Sequence, residues 1–297
     1  MPGTEAVDPR YADIDDWPTT DAVAAMIEGQ REAIEALNSQ AGAIAAACEA
    51  AAQRLSSSRG RLIYAGAGTS GRVAVQDGVE LTPTFGWPQE RLLYLLAGGL
   101  PALMKSAEGA EDDIVDAAKQ ITEHAVGAAD VVVAVAASGH TPFTLRIVEE
   151  ARARGALTIA IANNPSTPLL GAASHAIFLE TGSEIISGST RMKAGTAQKA
   201  AVNIISTTIM LRLGKVYQGQ MVDMVVSNAK LQRRAAGIVQ MLTECTEKEA
   251  VDALERGENS ISKAVLIAKG NTPENASKLL RENDERLGRA IAALGGK

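Results

Sequence analysis

The stretch YAGAGTSGRVAVQDGVELTPTFG, residues 64–86, decides the fold of this 297-residue chain. Residues 61–66 read as the end of a buried strand, and residues 67–71 read as a short turn of glycine, serine and threonine. A strand that runs through a small-residue loop into a helix favours anion binding, because free N–H groups at the helix start point at the ligand. The helix predicted after this turn carries Val73, Ala74, Asp77 and Glu80.

The turn itself contains the groups that an anion needs. Gly68 and Gly71 let the backbone approach a phosphate closely, and Thr69 and Ser70 add hydroxyl donors. Glu80 follows about three helical turns later, where a bound sugar would meet its carboxylate. Taken alone, an ordinary glycine-rich turn with a solvated glutamate explains these residues equally well.

The order of strand, loop and helix then repeats along the chain. Short, uniformly aliphatic runs lie at 91–99, 131–139 and 156–164, with a weaker one at 175–180. Such runs are typical of parallel strands that are buried on both faces. The sequence therefore predicts an α/β fold with a doubly wound parallel sheet flanked by helices, whose ligands bind beyond the carboxyl ends of the strands.

A dinucleotide site is disfavoured although GAGTSG, residues 66–71, matches the pattern GxGxxG. That fingerprint requires an acidic residue at the end of the second strand, and here the second strand ends in AGG, residues 97–99. The chain also has no Walker sequence with GK followed by serine or threonine. A sugar phosphate fits the small hydroxyl loops better than a dinucleotide does.

Composition excludes several other classes of protein. The formal charge of −6 and the pI of about 5.3 argue against nucleic acid and anionic membranes as general partners. Cys48 and Cys245 are far apart, so neither a disulfide scaffold nor a zinc site is expected. No apolar run approaches the roughly 18 residues of a membrane span, and the N-terminus lacks the apolar core of a signal peptide. A cytoplasmic protein is expected.

Three regions are predicted from the changes of pattern. Residues 1–56 form an arm and a helical region, residues 57–218 form the α/β domain, and residues 219–297 form a small helical domain. A leading helix pair within residues 20–56 would cover a sheet or another subunit. The last region is predicted to hold a linking helix over 221–244 and three short helices at about 246–256, 260–269 and 272–295.

The segment 181–214 precedes and includes an apolar helix. Its front half is crowded with hydroxyl and cationic side chains, namely Ser183, Ser187, Ser189, Thr190, Arg191 and Lys193. A polar helix start of this kind favours an anion pocket, whereas a solvated helix N-terminus with ordinary capping explains it as well.

Several motifs together resemble one family. They are GAGTSGR, ELTPTFG, EGAEDD at 108–113, AASGHTP at 136–142 and, most specifically, GSEIISGSTRMKAGTAQK at 182–199. In this order they are similar to the N-acetylmuramic acid 6-phosphate etherase family of the sugar isomerase (SIS) group. The resemblance implies an SIS α/β domain with a small C-terminal helical domain, a homodimer, and a lyase that cleaves the D-lactyl ether of its sugar phosphate during peptidoglycan recycling.

The resemblance also implies roles for particular residues. Glu80 matches the acid that protonates the departing lactate, and Glu111 matches a second active-site glutamate. Phosphate and sugar hydroxyls are expected to contact the small residues of three loops: Gly68, Thr69, Ser70 and Gly71; Ser138, Gly139 and Thr141; and Ser187, Ser189 and Thr190. Departures from the family pattern are Val79 and Leu81 beside Glu80, His140 in place of an arginine, and Val7-Asp8 in place of Arg-Asn.

The chemistry needs two carboxyl groups. Ring opening gives a C1 aldehyde, which acidifies the C2 proton; a base removes that proton, the C3 ether oxygen leaves with a proton from an acid, and water adds at C3. We assign Glu80 as the acid and Glu111 as the base, and the reverse assignment stays open. No metal and no cofactor are expected.

Two rival functions remain from the sequence. A sugar-phosphate sensor of the glucokinase regulatory protein type would share this architecture without turning its ligand over. An SIS aldose–ketose isomerase would share the abstraction of the C2 proton but would release no lactate. The glutamate pair favours the etherase, since a pure sensor has no reason to keep it.

Overall fold

The computed structural model describes residues 3–105 and 107–295, and these divide into two compact units. The first unit takes in the described residues up to Gly78 together with Glu90–Thr208. The second takes in Val79–Gln89 together with the described residues from Ile209 onward. In the described residues no helix has the length and apolar character that a membrane crossing requires. The division into residues 1–56, 57–218 and 219–297 stays a prediction.

The first unit is built on a sheet of five parallel strands in the order β2-β1-β3-β4-β5. This order, with the first strand inside the sheet, confirms the doubly wound α/β prediction. The strands are β1 (Leu62–Gly66), β2 (Leu92–Leu96), β3 (Val131–Val135), β4 (Leu157–Ala162) and β5 (His175–Phe178). Every residue of β1, β3 and β4 is buried, which explains their unbroken aliphatic composition.

Helices alternate with these strands. They are α1 (Thr19–Glu35), α2 (Ala41–Ser56), α3 (Gly68–Val79), α5 (Ile114–Glu123), α6 (Pro142–Ala153), α7 (Pro168–Ala172) and α8 (Lys193–Arg212). Ile121, Phe143 and Ile147 of α5 and α6 form one core cluster with Ile63 and Val132 of the sheet. The predicted leading helix pair is present as α1 and α2, separated by a 3-10 turn, Asn38–Gln40.

The turn after β1 is shorter than predicted. The helix begins at Gly68 rather than after Gly71, so Thr69 and Ser70 lie in its first turn. Close packing is the reason: a Cβ atom on Gly66 would lie 2.9 Å from the backbone nitrogen of Gly71, so glycine lets the helix start directly against the strand. The helix also ends at Val79, and Glu80 is the residue before the next short helix, α4 (Leu81–Phe85), instead of lying within α3.

The second unit is mostly helical and has its own core. Besides α4 it contains a short antiparallel pair, β6 (Val216–Tyr217) and β7 (Gln220–Met221), followed by α9 (Ala229–Thr243), α10 (Glu247–Arg256), α11 (Ile261–Ala268), α12 (Pro273–Glu282) and α13 (Leu287–Gly295). Val239, Leu254, Val265 and Leu280 lie in one buried cluster. The predicted capping box is present, because Thr246 and Glu249 bond reciprocally.

Two predictions for this unit were wrong in detail. The linking helix begins at Ala229 rather than at residue 221, because the Asn228 side chain caps it by accepting from the N–H of Leu231. The helix predicted over 272–295 is two helices, since Asp284 and Glu285 both have positive φ and interrupt it.

Candidate active site

A cavity of about 380 Å³ lies in the first unit, beyond the carboxyl ends of β1 and β3. A doubly wound sheet presents its ligands at this edge. Its lining comes from five segments of chain: Glu5; Ala67, Gly68, Thr69 and Ser70; Glu111 and Asp112; Ala136, Ala137, Ser138, His140, Thr141 and Pro142; and Thr190.

The structure therefore brings together many of the residues that the sequence singled out. Seven predicted site residues line the cavity: Gly68, Thr69, Ser70, Glu111, Ser138, Thr141 and Thr190. Five others are not among its lining residues: Gly71, Glu80, Gly139, Ser187 and Ser189. Glu80 belongs to the second unit, and its assigned role stays a prediction that rests on its motif.

Two of the five have structural roles beside the cavity. Gly139 has φ of +68°, and a Cβ atom there would lie 2.3 Å from the hydroxyl oxygen of Thr167, so only glycine fits between the two loops. The Ser187 hydroxyl donates to the backbone carbonyl of Glu5 at 3.2 Å.

Ser70 takes part in a buried chain of polar side chains. Its hydroxyl donates to Oε1 of Gln198 at 2.9 Å, and Nε2 of Gln198 donates to Oδ1 of Asn163 at 2.8 Å. Gln198 is fully buried on α8, and Asn163 follows β4. Because the Ser70 hydroxyl hydrogen is already used, Ser70 offers a ligand its backbone N–H rather than a free O–H. Gln198 lies within the motif at 182–199, but nothing in its spacing predicts these two partners.

The loop after β3 holds the second group of small side chains. The Ser138 and Thr141 hydroxyls lie 3.4 Å apart, and the backbone N–H of His140 donates to the Ser138 hydroxyl at 3.2 Å. Nδ1 of His140 lies 2.8 Å from the carbonyl oxygen of Ser138. A carbonyl only accepts, so Nδ1 carries the hydrogen and Nε2 is left for a ligand.

Carboxylates outnumber cations around this cavity. Among its described lining residues, His140 alone can carry a positive charge, whereas Glu5, Glu111 and Asp112 are acidic. The groups that the cavity offers to an anion are therefore neutral donors, namely the hydroxyls and the N–H groups of the first turn of α3, which also carries the positive end of the helix dipole.

Buried charges hold the loop that brings Thr190 to the cavity. The Glu184 carboxylate is fully buried and accepts from the backbone N–H groups of Lys193 and Ala194, both at 2.9 Å, where α8 begins. Burial raises the pKa of the Glu184 carboxyl above its usual range. The Lys193 ammonium, also buried, lies 2.6 Å from Oε2 of Glu32 on α1, which ties the loop to that helix.

Replacement of Glu184 tests this anchor. Glu184→Ala leaves two buried N–H donors without partners, and we expect it to lower the free energy of unfolding by about 2–4 kcal/mol. Urea unfolding followed by circular dichroism measures the change. Glu180→Ala is the matched control, because Glu180 is exposed on the same segment. Equal stabilities for the two variants would show that Glu184 does not anchor the loop.

Three family models match parts of the chain. They are the N-terminal SIS domain of glucokinase regulatory protein over residues 43–151, the SIS domain over residues 102–207, and the C-terminal lid domain of glucokinase regulatory protein over residues 218–276. Among solved structures, a phosphoheptose isomerase from Francisella tularensis aligns with a TM-score of 0.50 and 21% identity, over 66% of this chain and 100% of that one. This likeness supports the SIS fold.

Curated relatives match nearly the whole chain. The N-acetylmuramic acid 6-phosphate etherase of Deinococcus radiodurans is 47% identical over 90% of this chain and 87% of its own length. The enzyme of the same name from Streptomyces avermitilis is 42% identical over 98% of this chain and 93% of its own. Identity at this level extends through both units of the fold, and the chain belongs to the N-acetylmuramic acid 6-phosphate etherase family.

Proposed function

We propose that the chain is a carbon–oxygen lyase that cleaves the D-lactyl ether at C3 of N-acetylmuramic acid 6-phosphate. The products are N-acetylglucosamine 6-phosphate and D-lactate. The observation that carries this function is the 47% identity to a relative of that name across 90% of the chain. The cavity beyond β1 and β3 supports it, since hydroxyl and backbone donors suited to a phosphate face carboxylates suited to acid–base work.

The reaction begins with the open-chain sugar. The C1 aldehyde makes the C2 proton acidic, and Glu111, which lines the cavity, is the base that removes it. The electron pair from the C2–H bond forms a C2–C3 double bond as the C3–O bond to lactate breaks. Glu80 gives its proton to the leaving ether oxygen, and water then adds a hydroxyl at C3 and returns a proton to C2.

The phosphate is the group through which the protein binds and positions this sugar. Its oxygens accept from the first turn of α3 at Thr69 and Ser70 and from the hydroxyls of Ser138, Thr141 and Thr190. Gly68, Gly71 and Gly139 leave space for these loops to approach it, and Ser187 and Ser189 belong to the segment that carries Thr190. No metal or cofactor takes part in this mechanism.

A sensor of the glucokinase regulatory protein type is the second candidate, because two family models of that protein match the chain. A sensor would bind the sugar phosphate and release no product. The etherase relatives are favoured over it by identity across almost the whole chain. An aldose–ketose isomerase is favoured only by a likeness of fold.

The test is the release of D-lactate. Purified protein is mixed with N-acetylmuramic acid 6-phosphate, and D-lactate is assayed with a stereospecific dehydrogenase. One equivalent of D-lactate for each equivalent of N-acetylglucosamine 6-phosphate is expected. Binding without turnover would favour the sensor, and a ketose product without lactate would favour the isomerase.

We further propose a homodimer in the cytoplasm. An apolar face of the first unit supports the dimer: Val23, Ile27 and Ile34 of α1 are 48%, 65% and 50% exposed, and Ile204 of α8 is 44% exposed. Ile34 and Ile204 line one shallow groove on this face. Burying such a face in a dimer stabilises the dimer by roughly 25 cal/mol for each Å² of apolar surface that is removed from water. A cytoplasmic location suits a phosphorylated sugar as substrate.

Charges placed on this face are expected to separate the dimer. Ile27→Glu combined with Ile34→Glu should shift the protein from dimer to monomer in sedimentation velocity, since two carboxylates would otherwise be buried. Met241→Glu is the control, because Met241 is 64% exposed on α9 and lies outside the face. A double variant that still sediments as a dimer would remove this face from the interface.

A further inference from the structure

The N-terminal arm, defined as Gly3–Asp8, is bound to the first unit rather than loose. Thr4 is fully buried, its backbone N–H donates to Oδ1 of Asn164 at 3.0 Å, and Nδ2 of Asn164 donates back to the Thr4 hydroxyl at 3.1 Å. Gly3 is required beside this pair, because a Cβ atom there would overlap the Asn164 side chain. Asn164 follows β4, so the arm lies across the carboxyl edge of the sheet.

Three further hydrogen bonds tie the arm and Asn164 to the neighbouring loops. Nδ2 of Asn164 also lies 3.3 Å from the carbonyl of Ala137, a residue that lines the cavity. On the other side, the Ser187 hydroxyl donates to the Glu5 carbonyl, and the Ser183 hydroxyl donates to Asp8 at 3.4 Å. Glu5 is thus held between the loop after β3 and the segment that precedes α8.

Glu5 is exposed to solvent where it borders the cavity. It lines the cavity together with Ser138 and Thr190, and among the described residues nothing makes a hydrogen bond or an ion pair with its carboxylate. Gly188 keeps room for it, because a Cβ atom on Gly188 would lie 3.0 Å from Oε2 of Glu5. The backbone of Glu5 is used for anchoring, and its carboxylate is left for a ligand.

The charge of this carboxylate limits what it can hold. A carboxylate only accepts hydrogen bonds, and it repels both the phosphate and the lactyl carboxylate of the substrate. Its partner is therefore a neutral donor, which on this substrate means a sugar hydroxyl or the N–H of the acetamido group. We propose that Glu5 is a further substrate-binding residue, which accepts a hydrogen bond from the uncharged part of the sugar and makes the cavity selective for a sugar phosphate over a bare phosphate.

This inference rests on the proposed function, since it takes its ligand from it. A hydrogen bond to a charged group contributes roughly 1.5–3 kcal/mol, which corresponds to about 10- to 150-fold in kcat/KM. Glu5→Ala should lower kcat/KM for lactate release by that factor and weaken binding of N-acetylglucosamine 6-phosphate similarly. Glu5→Gln keeps one acceptor oxygen and should fall between Glu5→Ala and the unchanged protein.

Binding of inorganic phosphate distinguishes a direct contact between Glu5 and the sugar from a structural role of Glu5 in the cavity. The affinity for inorganic phosphate, measured by calorimetry, should stay the same or rise in Glu5→Ala, because a repelling charge is removed. Glu123→Gln, on the exposed end of α5, is the control for removing an acidic group and should leave all of these values unchanged. The unfolding midpoint of each variant shows whether the arm still docks.

The outcomes distinguish this inference from the proposed function. Lactate release by the unchanged protein tests the function alone, and product binding by the variants tests Glu5 even if no lactate is released. Glu5→Ala that binds N-acetylglucosamine 6-phosphate as well as the unchanged protein would overturn the inference. Loss of inorganic phosphate affinity in parallel with the sugar phosphate would also overturn it, since it would show that Glu5 supports the cavity rather than contacting the sugar.

Discussion

Removal of the C6 phosphate from the substrate is expected to lower kcat/KM by about a thousandfold or more. Hydrogen bonds to a charged group contribute roughly 1.5–3 kcal/mol each, and each 1.4 kcal/mol is about tenfold. Thr69, Ser138, Thr141 and Thr190 line the cavity with hydroxyls, and the first turn of α3 adds backbone donors. Losing two or three of these contacts together gives the expected factor.

The measurement is kcat/KM for N-acetylmuramic acid with and without its phosphate, under identical conditions. Ser138→Ala should weaken binding of the phosphorylated sugar and leave the poor reaction of the other nearly unchanged. Thr122→Ala, which removes an exposed hydroxyl from α5, is the control. Comparable values for the two sugars would mean that these loops do not hold the phosphate.

Replacement of Glu80 is expected to lower the rate of lactate release by at least about a hundredfold. General acid catalysis contributes typically 10²–10⁴-fold, and glutamine cannot give a proton to the leaving ether oxygen. Exchange of the C2 proton with deuterated solvent, which needs only the base, should survive in Glu80→Gln. Glu90→Gln, which changes an exposed glutamate further along the chain, is the control.

The same pair of measurements decides which glutamate is the acid. Under our assignment Glu111→Gln loses both C2 exchange and lactate release. If exchange is lost in Glu80→Gln and kept in Glu111→Gln, the roles are reversed. Lactate release at a near-normal rate from Glu80→Gln would remove Glu80 from the mechanism.

The sheet could be predicted because each strand can be recognised from its own residues. Leu62–Gly66, Val131–Val135 and Leu157–Ala162 are buried on both faces, so each is a short aliphatic run that a helix would not produce at that length. The strand-end loops follow directly from them. The sequence alone therefore assigns Thr69, Ser138 and Thr141 to one edge of the sheet.

The predicted boundaries of elements are wrong where one residue type serves two purposes. The glycines at 66 and 71 suggest a turn that lasts to Gly71, but here they permit close packing of strand and helix, so α3 starts at Gly68. The sequence prediction does not include the β6–β7 hairpin, although Gln218-Gly219, both with positive φ, is the two-residue turn that a tight hairpin uses. At Asp284 and Glu285 the positive φ values have no such sequence signal.

Glu5 could not be predicted as a cavity residue because its place depends on distant contacts. Thr4 and Asn164 are 160 residues apart in the chain, and Ser187 is 182 residues from Glu5. Periodicity and capping rules describe neighbours in sequence and contain no information about such pairs. The role of Gln198 could not be predicted for the same reason, since its partners Ser70 and Asn163 come from other segments.

Oxygen labelling tests the etherase mechanism itself. The reaction is run in H₂¹⁸O with N-acetylmuramic acid 6-phosphate, and the label is located by ¹³C nuclear magnetic resonance. Elimination followed by addition of water predicts ¹⁸O on C3 of N-acetylglucosamine 6-phosphate and unlabelled oxygen on C2 of the released D-lactate. Labelled oxygen on C2 of lactate with an unlabelled sugar C3, or no lactate at all, would contradict it.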